Sequence, residues 1–499
     1  MDAFILAVDQ STSGTKALVI DASGHVLAKS SAPHKQIYPA AGWVEHDPVE
    51  IYEQVKKCAL DALEQAGIGA DRLAALTLTN QRETAVLWDR ATGEPAYNAI
   101  VWQCQRTESF CTELKAQGHE ENVSARTGLK LDPYFSAAKW AWMLDNAPGA
   151  REALAEGRLL AGTMDSWLVW KLTGGRVHAT DYTNASRTSL FNIHTLQWDE
   201  EMCALFGVPS SLLPAVKFSD EVLGHTDPAW LGASVPIAGI IGDSQAALFG
   251  NLCLTPGAAK ATYGTGTSVL MNVGNRAAQA DGGLVQAIAW GRGGEVTYAL
   301  EAVIRTSGDS LNWVRDNLGF FSSYEEMERL LAEAPDSAGV YLVPAFVGLG
   351  APYWRPDARA AITGMSRSAG RAHIVRAAWE SIAYQVRDAI ELLQSESGIA
   401  LRALYADGGA ADSATLMQFQ SDLLDRPVSR LGVAELSAMG SAYMGGLAVG
   451  LWSSLDEIAG LPREARIYEP RMEATARERL YGGWKRAVRS VLAGAAEEE

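Results

Sequence analysis

Residues 9–16 (DQSTSGTK) join two short apolar runs, 4–9 and 17–20, and crowd small hydroxyl side chains, a glycine and Lys16 into one turn. A tip of that kind lets backbone amides approach a phosphate while the lysine supplies a point charge. A plain polar turn explains the string equally well, and it is no P-loop. Asp9 at the end of the first run favours the phosphate reading, because a carboxylate beside a phosphate cradle commonly holds Mg²⁺ through water. A second turn of similar form, residues 262–268 (TYGTGTS), lies in the other half of the chain. Residues 407–410 (DGGA) fall between an apolar run and a helical pattern, where glycines allow the backbone close to a flat ligand. A helix cap or tight turn accounts for that pair too.

Transfer of a phosphoryl group to a hydroxyl needs a carboxylate that accepts the proton. Asp243, in residues 241–245 (IGDSQ), follows an apolar run and is the candidate, with a helix N-cap as the competing account. A substrate with several hydroxyls calls for a fork of donors and acceptors, which Arg82 and Glu83 within residues 80–84 (NQRET) supply, joined by Tyr134. Adjacent opposite charges on a surface turn are an equally ordinary explanation. The eight histidines, His178, His194 and His373 among them, form no metal-ligand spacing, and no GxSxG elbow is present. Trp102, Trp167, Trp170 and Trp354 read as core or pocket wall.

The elements that must position these residues follow from the patterning. At 499 residues the chain exceeds the ~250 at which single cores stop growing, so two domains are expected, 1–250 and 251–499. Residues 4–20 read as a β-hairpin. Asp47 followed by Pro48 opens a helix with Ile51, Val55, Ala59 and Leu63 on one face. Two strands, 74–79 and 84–88, flank the polar turn 80–83; residues 106–170 read as mostly helical and 173–187 as a loop. Strands resume near Val235, residues 260–272 repeat the hairpin form, and 404–407 leads into a helix through Leu416, Phe419 and Leu423. One hairpin per half points to a duplicated α/β fold closing on a nucleotide.

Composition narrows the partners. With 48% hydrophobic and 20% charged residues the chain is an ordinary globular protein. A net charge of −17 and a pI near 5.0, with no basic patch, argue against nucleic acid and acidic membranes. The five cysteines, Cys58, Cys104, Cys111, Cys203 and Cys253, are scattered and read as reduced thiols. The N-terminus lacks a signal-peptide pattern and no run of about 18 apolar residues occurs, so cytoplasmic location without membrane insertion is expected. Glu497, Glu498 and Glu499 read as a solvated tail.

Several longer strings resemble the FGGY carbohydrate kinases, and within them the glycerol kinases: 42–48 (GWVEHDP), 80–84, 99–104 (AIVWQC), 132–136 (DPYFS), 181–188 (DYTNASRT), 343–354 (VPAFVGLGAPYW) and 417–422 (MQFQSD). The resemblance spans residues 5–484. It implies an α/β fold of the actin, hexokinase and Hsp70 (RNase H-like) type, with two domains and an interdomain cleft for ATP and Mg²⁺. It also implies homodimers or homotetramers. Position by position it assigns Arg82, Glu83, Tyr134 and Asp243 to a polyol, Asp243 as base and Trp102 as an apolar wall. For the nucleotide it points to Asp9, Thr12 and Ser13, then Thr265, Gly308 and Gly409.

The departures from the glycerol-kinase pattern lie at the same sites. Gly14 stands for a serine and Lys16 for an arginine in the first hairpin, a form nearer to xylulose kinases. Ser244 replaces a substrate-facing glutamine and Ser268 a phenylalanine beside the glycerol carbons. Asn312 and Ser413, near the adenosine end, replace glutamine and asparagine. The loop 225–235 lacks the string linked to sugar-bisphosphate inhibition in some relatives. The implied reaction is ATP-dependent phosphorylation of glycerol to sn-glycerol 3-phosphate. A kinase for a longer polyol or ketose, or a silent sugar or nucleotide sensor on the same scaffold, remain as alternatives.

Overall fold

The computed structural model describes residues 3–278, 283–433 and 435–496, so the acidic tail 497–499 lies outside the described residues. Two large mixed sheets organise the chain. The first has the order Gly224–His225, Pro236–Gly242, Leu73–Asn80, Phe4–Gln10, Gly14–Ile20, Val26–Pro33. The second has the order Ala465–Tyr468, Val428–Leu431, Ala403–Asp407, Ala258–Tyr263, Thr267–Gly274, Glu295–Ile304, Val285–Arg292.

The same plan is built twice. In each sheet a hairpin's first strand lies at the centre, with two parallel strands on one side and antiparallel strands on the other. Both outer parallel strands carry a short antiparallel edge, and the second sheet adds Val285–Arg292 at its far end. The two hairpins of the sequence thus occupy equivalent places, and the duplication that one hairpin per half pointed to is written in the strand order.

The helix Pro48–Ala66 forms as its sequence dictates. The Asp47 carboxylate accepts from the amides of Val49 and Glu50, Gly67 closes the other end in the left-handed region, and Ile51, Val55, Ala59 and Leu63 are buried. They pack against Leu6, Val8, Ala17 and Val19 of the first sheet. The strands flanking residues 81–84 are Leu73–Asn80 and Ala85–Asp89, and they belong to different sheets. The second of them pairs with Leu159–Thr163 in a four-stranded sheet that carries its own core.

Two expectations change here. The stretch 106–170, read as mostly helical, contains the fully buried strand Leu159–Thr163 (LLAGT), five residues too short for their periodicity to separate strand from helix. The stretch 173–187, read as a loop, holds the strand Ala179–Asp181 and the one-turn helix Tyr182–Ala185. The polar residues of its second half are interior: Asp181, Thr183, Asn184 and Arg187 are all buried. They are satisfied by one another and by neighbours, as when Asn184 and Asn80 exchange amide hydrogen bonds of 2.9 and 3.1 Å. Buried polar groups that find partners look like a loop in composition alone.

The division of the chain at residue 250 separates the strands of the two sheets but not every helix. Leu436–Ala448, from the second half, crosses to the first sheet and lies along the helix Asp243–Gly250. The approach is backbone to backbone: a Cβ placed on Gly440 would sit 1.9 Å from the Ala246 carbonyl oxygen. Only glycine fits there. We expect Gly440→Val to force the helices apart and cost about 1–3 kcal/mol, the usual range for overpacking. Differential scanning calorimetry checks this, and an unchanged transition would show that the crossing yields freely.

Candidate active site

The strand Leu73–Asn80 ends in the loop 81–84, which is held by the Gln81 amide donating to the Gln10 carbonyl at 2.7 Å. Glu83 sits at φ +60, a left-handed conformation that a non-glycine residue adopts only when its surroundings enforce it. From this loop Arg82 reaches Asp243 with Nε at 3.2 Å, Gln245 with Nη1 at 3.2 Å and Glu301 with Nη2 at 3.2 Å. Glu83 pairs with Arg187, whose Nη1 lies 2.9 Å from the second oxygen of Glu301. Arg82, Glu83, Arg187 and Glu301 are all buried, whereas the Asp243 side chain is 35% exposed and opens to the cleft.

Burial would push the Glu301 carboxyl up, but Arg82 and Arg187 on its two oxygens overcome that and hold it at about 2. Asp243 opens the helix Asp243–Gly250, where the helix dipole favours its negative charge, and its Oδ1 accepts from the Ser244 amide at 2.7 Å.

The wall beside this cluster is aromatic. The rings of Trp102 and Tyr134 lie 5.4 Å apart, and the Trp102 indole donates to the Thr12 hydroxyl at 2.9 Å. The wall is therefore tied to the tip of the first hairpin. Burial raises the Tyr134 phenol, keeping it a neutral donor. Lys139, fully buried on the helix Ser136–Asn146, donates to the carbonyls of Pro133, Tyr134 and Phe135 at 2.6, 2.5 and 2.9 Å, which fixes the backbone that presents Tyr134.

Between the sheets runs a cleft of about 500 Å³ lined by Asp9, Lys16, Asp243, Ser244, Lys260 and Asp407, among others. It meets a second cavity of about 550 Å³ at Gly409 and Asp412. Thr265, Gly308, Asn312, Gly409 and Ser413, spread over more than half the second domain in sequence, all line that second cavity, together with Tyr324 and Trp379. Ser413 also caps the helix Ala414–Leu424.

The first hairpin is arranged differently from its sequence reading. Thr12, Ser13 and Gly14 line neither cavity. Gly14 has a packing reason, since a Cβ there would meet the Ala32 carbonyl oxygen of the neighbouring strand at 2.7 Å. Lys16 reaches the cleft, but its ammonium rests on Glu435 at 2.5 Å, beside Lys29 on the other oxygen at 2.7 Å. Ser244 lines the cleft, while the side-chain amide that meets Arg82 is that of Gln245. Ser268 donates to Glu301 at 3.0 Å.

Arg187, Gln245, Glu301 and Lys139 were not singled out from the sequence. The available signal was a charge inside an apolar pattern, Glu301 within Glu295–Ile304 and Lys139 within Ser136–Asn146. Such residues are almost never fully buried unless paired.

No group of three His, Cys, Asp or Glu side chains close enough to enclose a metal occurs among the described residues. Single carboxylates facing a cleft, Asp9, Asp243 and Asp407, suit Mg²⁺, which keeps most of its waters. Burial pushes the Asp9 carboxyl up to about 6, with Asp243 and Glu435 adding to the effect and the Ser11 hydroxyl and Lys16 opposing it. A nearby cation would relieve that strain.

Two outcomes are expected. Glu301→Gln leaves two buried guanidinium groups sharing a neutral partner and should cost about 3–5 kcal/mol, seen as a lowered thermal midpoint. For Asp9 the folded pKa lies above the ordinary 3.8, so between about pH 4 and 6 the folded chain binds more protons than the unfolded one and stability falls as pH rises. Above pH 6 the penalty is complete. Asp9→Asn should therefore be more stable than the parent by about 2–3 kcal/mol at pH 8 without Mg²⁺. That advantage should vanish below pH 4, as measured by denaturation at both pH values.

With this geometry in view, the comparisons with known proteins are direct. Residues 4–250 match the N-terminal domain and residues 259–449 the C-terminal domain of the FGGY family of carbohydrate kinases. A glycerol kinase from Symbiobacterium thermophilum is 52% identical over 494 residues, covering 99% of each chain. Glycerol kinase 2 of Thermotoga maritima is 51% identical over 485 residues, covering 97% of this chain and 98% of its own. The crystal structure of Plasmodium falciparum glycerol kinase with ADP superposes with a TM-score of 0.93 at 35% identity, covering 98% of both chains. A xylulose kinase from Lactobacillus acidophilus, 21% identical with a TM-score of 0.89 and full coverage of both chains, shares the fold. Two duplicated sheets, a cleft between them and a full-length match on both domains place this chain in the FGGY family of carbohydrate kinases.

Proposed function

We propose that the chain transfers the terminal phosphoryl group of ATP to a primary hydroxyl of glycerol, giving sn-glycerol 3-phosphate and ADP. The observation that carries the reading is the convergence of Arg82 and Glu83, from the loop 81–84, with Asp243, at the start of the helix Asp243–Gly250, beside the Trp102 and Tyr134 rings. The glycerol kinases of Symbiobacterium and Thermotoga, half identical to the chain along its length, support the choice of acceptor.

In this reading Arg82, Glu83 and Tyr134 hold the polyol hydroxyls, and Trp102 covers the carbon skeleton. The guanidinium of Arg82 has two tasks, because Glu301 and Gln245 fix its plane while its Nε holds the Asp243 carboxylate. Asp243, the most exposed member of the cluster, takes the proton of the reacting hydroxyl as that oxygen bonds to phosphorus and the bond to the bridging oxygen breaks. The cavity lined by Thr265, Gly308, Asn312, Gly409 and Ser413 receives the adenosine end, and the adjoining cleft the phosphates. When bound beside Asp9, Mg²⁺ would neutralise charge on the transferring phosphoryl group.

A longer polyol is the second reading, favoured by Ser268. Its hydroxyl is committed to Glu301, so a small polar side chain occupies the position that the glycerol-kinase pattern gives to phenylalanine. ADP release with Mg-ATP and, separately, glycerol, erythritol, ribitol, xylitol, xylulose and dihydroxyacetone separates the two. Glycerol is expected to lead in kcat/KM by about tenfold or more, and Asp243→Asn to lower kcat by about 10²- to 10⁴-fold. A longer polyol in the lead would sink the glycerol assignment.

A further inference from the structure

Three cationic side chains, Lys16, Lys260 and Arg430, line the cleft between the sheets. Two are already committed to carboxylates: Lys16 to Glu435 at 2.5 Å, and Arg430 to Asp412. Lys260 is in a different position. It lies mid-strand in Ala258–Tyr263, at the centre of the second sheet, between Thr267–Gly274 and Ala403–Asp407. Ala259, Ala261 and Tyr263 enter the core of the second half, while Ala258 belongs to the core shared with the first. Strand alternation then turns Lys260 and Thr262 toward the first half and the cleft, which both of them line.

Lys260 is 1% exposed. Its ammonium donates to the Thr262 hydroxyl at 2.7 Å and forms no ion pair among the described residues. An ammonium carries three donors, so this one reserves two. Burying a cation beside a single neutral partner is costly unless a ligand completes it. Thr262 stands opposite Asp407 in the sheet register, and Asp407 leads directly into Gly408 and Gly409, where the cleft meets the second cavity.

We propose that Lys260 is a phosphate-binding catalytic residue, the cation that the second hairpin directs at the terminal phosphate of the nucleotide. It completes its donor set on the phosphate oxygens and stabilises the negative charge spread over them during transfer. Lys16, held by Glu435, then positions the first hairpin. The inference rests on the ATP-dependent reading above and adds a residue that the sequence motifs did not mark.

The test uses the full chain and two variants, Lys260→Met and Lys260→Gln; the second keeps a donor for Thr262 and removes only the charge. Equilibrium binding of Mg-ATP, Mg-ADP and adenosine is measured by titration calorimetry, and turnover is measured with glycerol. Both variants should lose about tenfold or more in affinity for ATP with adenosine binding unchanged. Their kcat should fall about 10²-fold or more at an unchanged KM for glycerol. If the Met variant fails to fold, the Gln variant decides. A folded Gln variant with parental ATP-to-adenosine preference and parental kcat overturns the proposal while leaving glycerol phosphorylation intact. A parent inactive on glycerol whose ATP preference still depends on Lys260 would instead overturn the choice of acceptor and sustain this inference.

Discussion

The Glu301 carboxylate accepts Arg82 on one oxygen and faces Arg187 on the other, and nearly everything around the proposed polyol site depends on that arrangement. Arg82 and Arg187 come from the first half of the chain, Glu301 from a strand of the second sheet. Two guanidinium groups this deep would repel each other without it. Their shared carboxylate converts a repulsion into a joint between the halves and leaves Arg82 with its Nε free for Asp243 and its plane fixed. A buried network of this kind contributes little net stability, since desolvation offsets most of the Coulomb attraction. What it supplies is geometry: Arg82 and Asp243, the proposed polyol contact and base, are oriented before any ligand arrives.

The two sheets explain why such a joint is possible. Each presents one face to its own core and the other toward its counterpart, so alternate residues along the central strands meet across the cleft. Where those residues are apolar they form a shared core of Ile5, Ala7, Leu18, Ala258 and Leu270, joined by Met439 of the helix Leu436–Ala448. Where the strands end, the same faces carry Asp9, Asp243 and Asp407. The helices Asp243–Gly250 and Leu436–Ala448 pass through this zone in backbone contact, one opening with Asp243 and the other preceded by Glu435, which holds Lys16. The Ser437 hydroxyl donates to the Asp243 carbonyl at 3.1 Å, so Asp243, the clamp on the first hairpin and the helix crossing form one unit.

Position in the strand order thus separates three roles. Residues on the inner faces pack, residues at the strand ends face the cleft, and residues behind it, such as Lys139, Arg187 and Gln245, hold the cleft-facing groups in place by hydrogen bonds and ion pairs to buried partners.

Much of this was legible in the amino-acid sequence, and the reason is locality. The hairpin Phe4–Ile20, the Asp47 cap, the apolar stripe of Pro48–Ala66 and the emergence of Asp243 after an apolar run are decided by residues within one turn or strand of each other. The strings carrying the family resemblance are equally local. What only the tertiary structure decided is long-range. It buried the polar residues Asp181, Asn184 and Arg187 of the stretch 173–187, because Asn80, Ser219 and Glu83 arrive to satisfy them. It sent Lys16 to Glu435, 419 residues away, and brought Glu301 to Arg82 across 219. A sequence states which groups carry charge; whether a charge faces solvent, a ligand or an opposite charge depends on which distant strand lies beside it, and that is settled only when the two sheets close on one another.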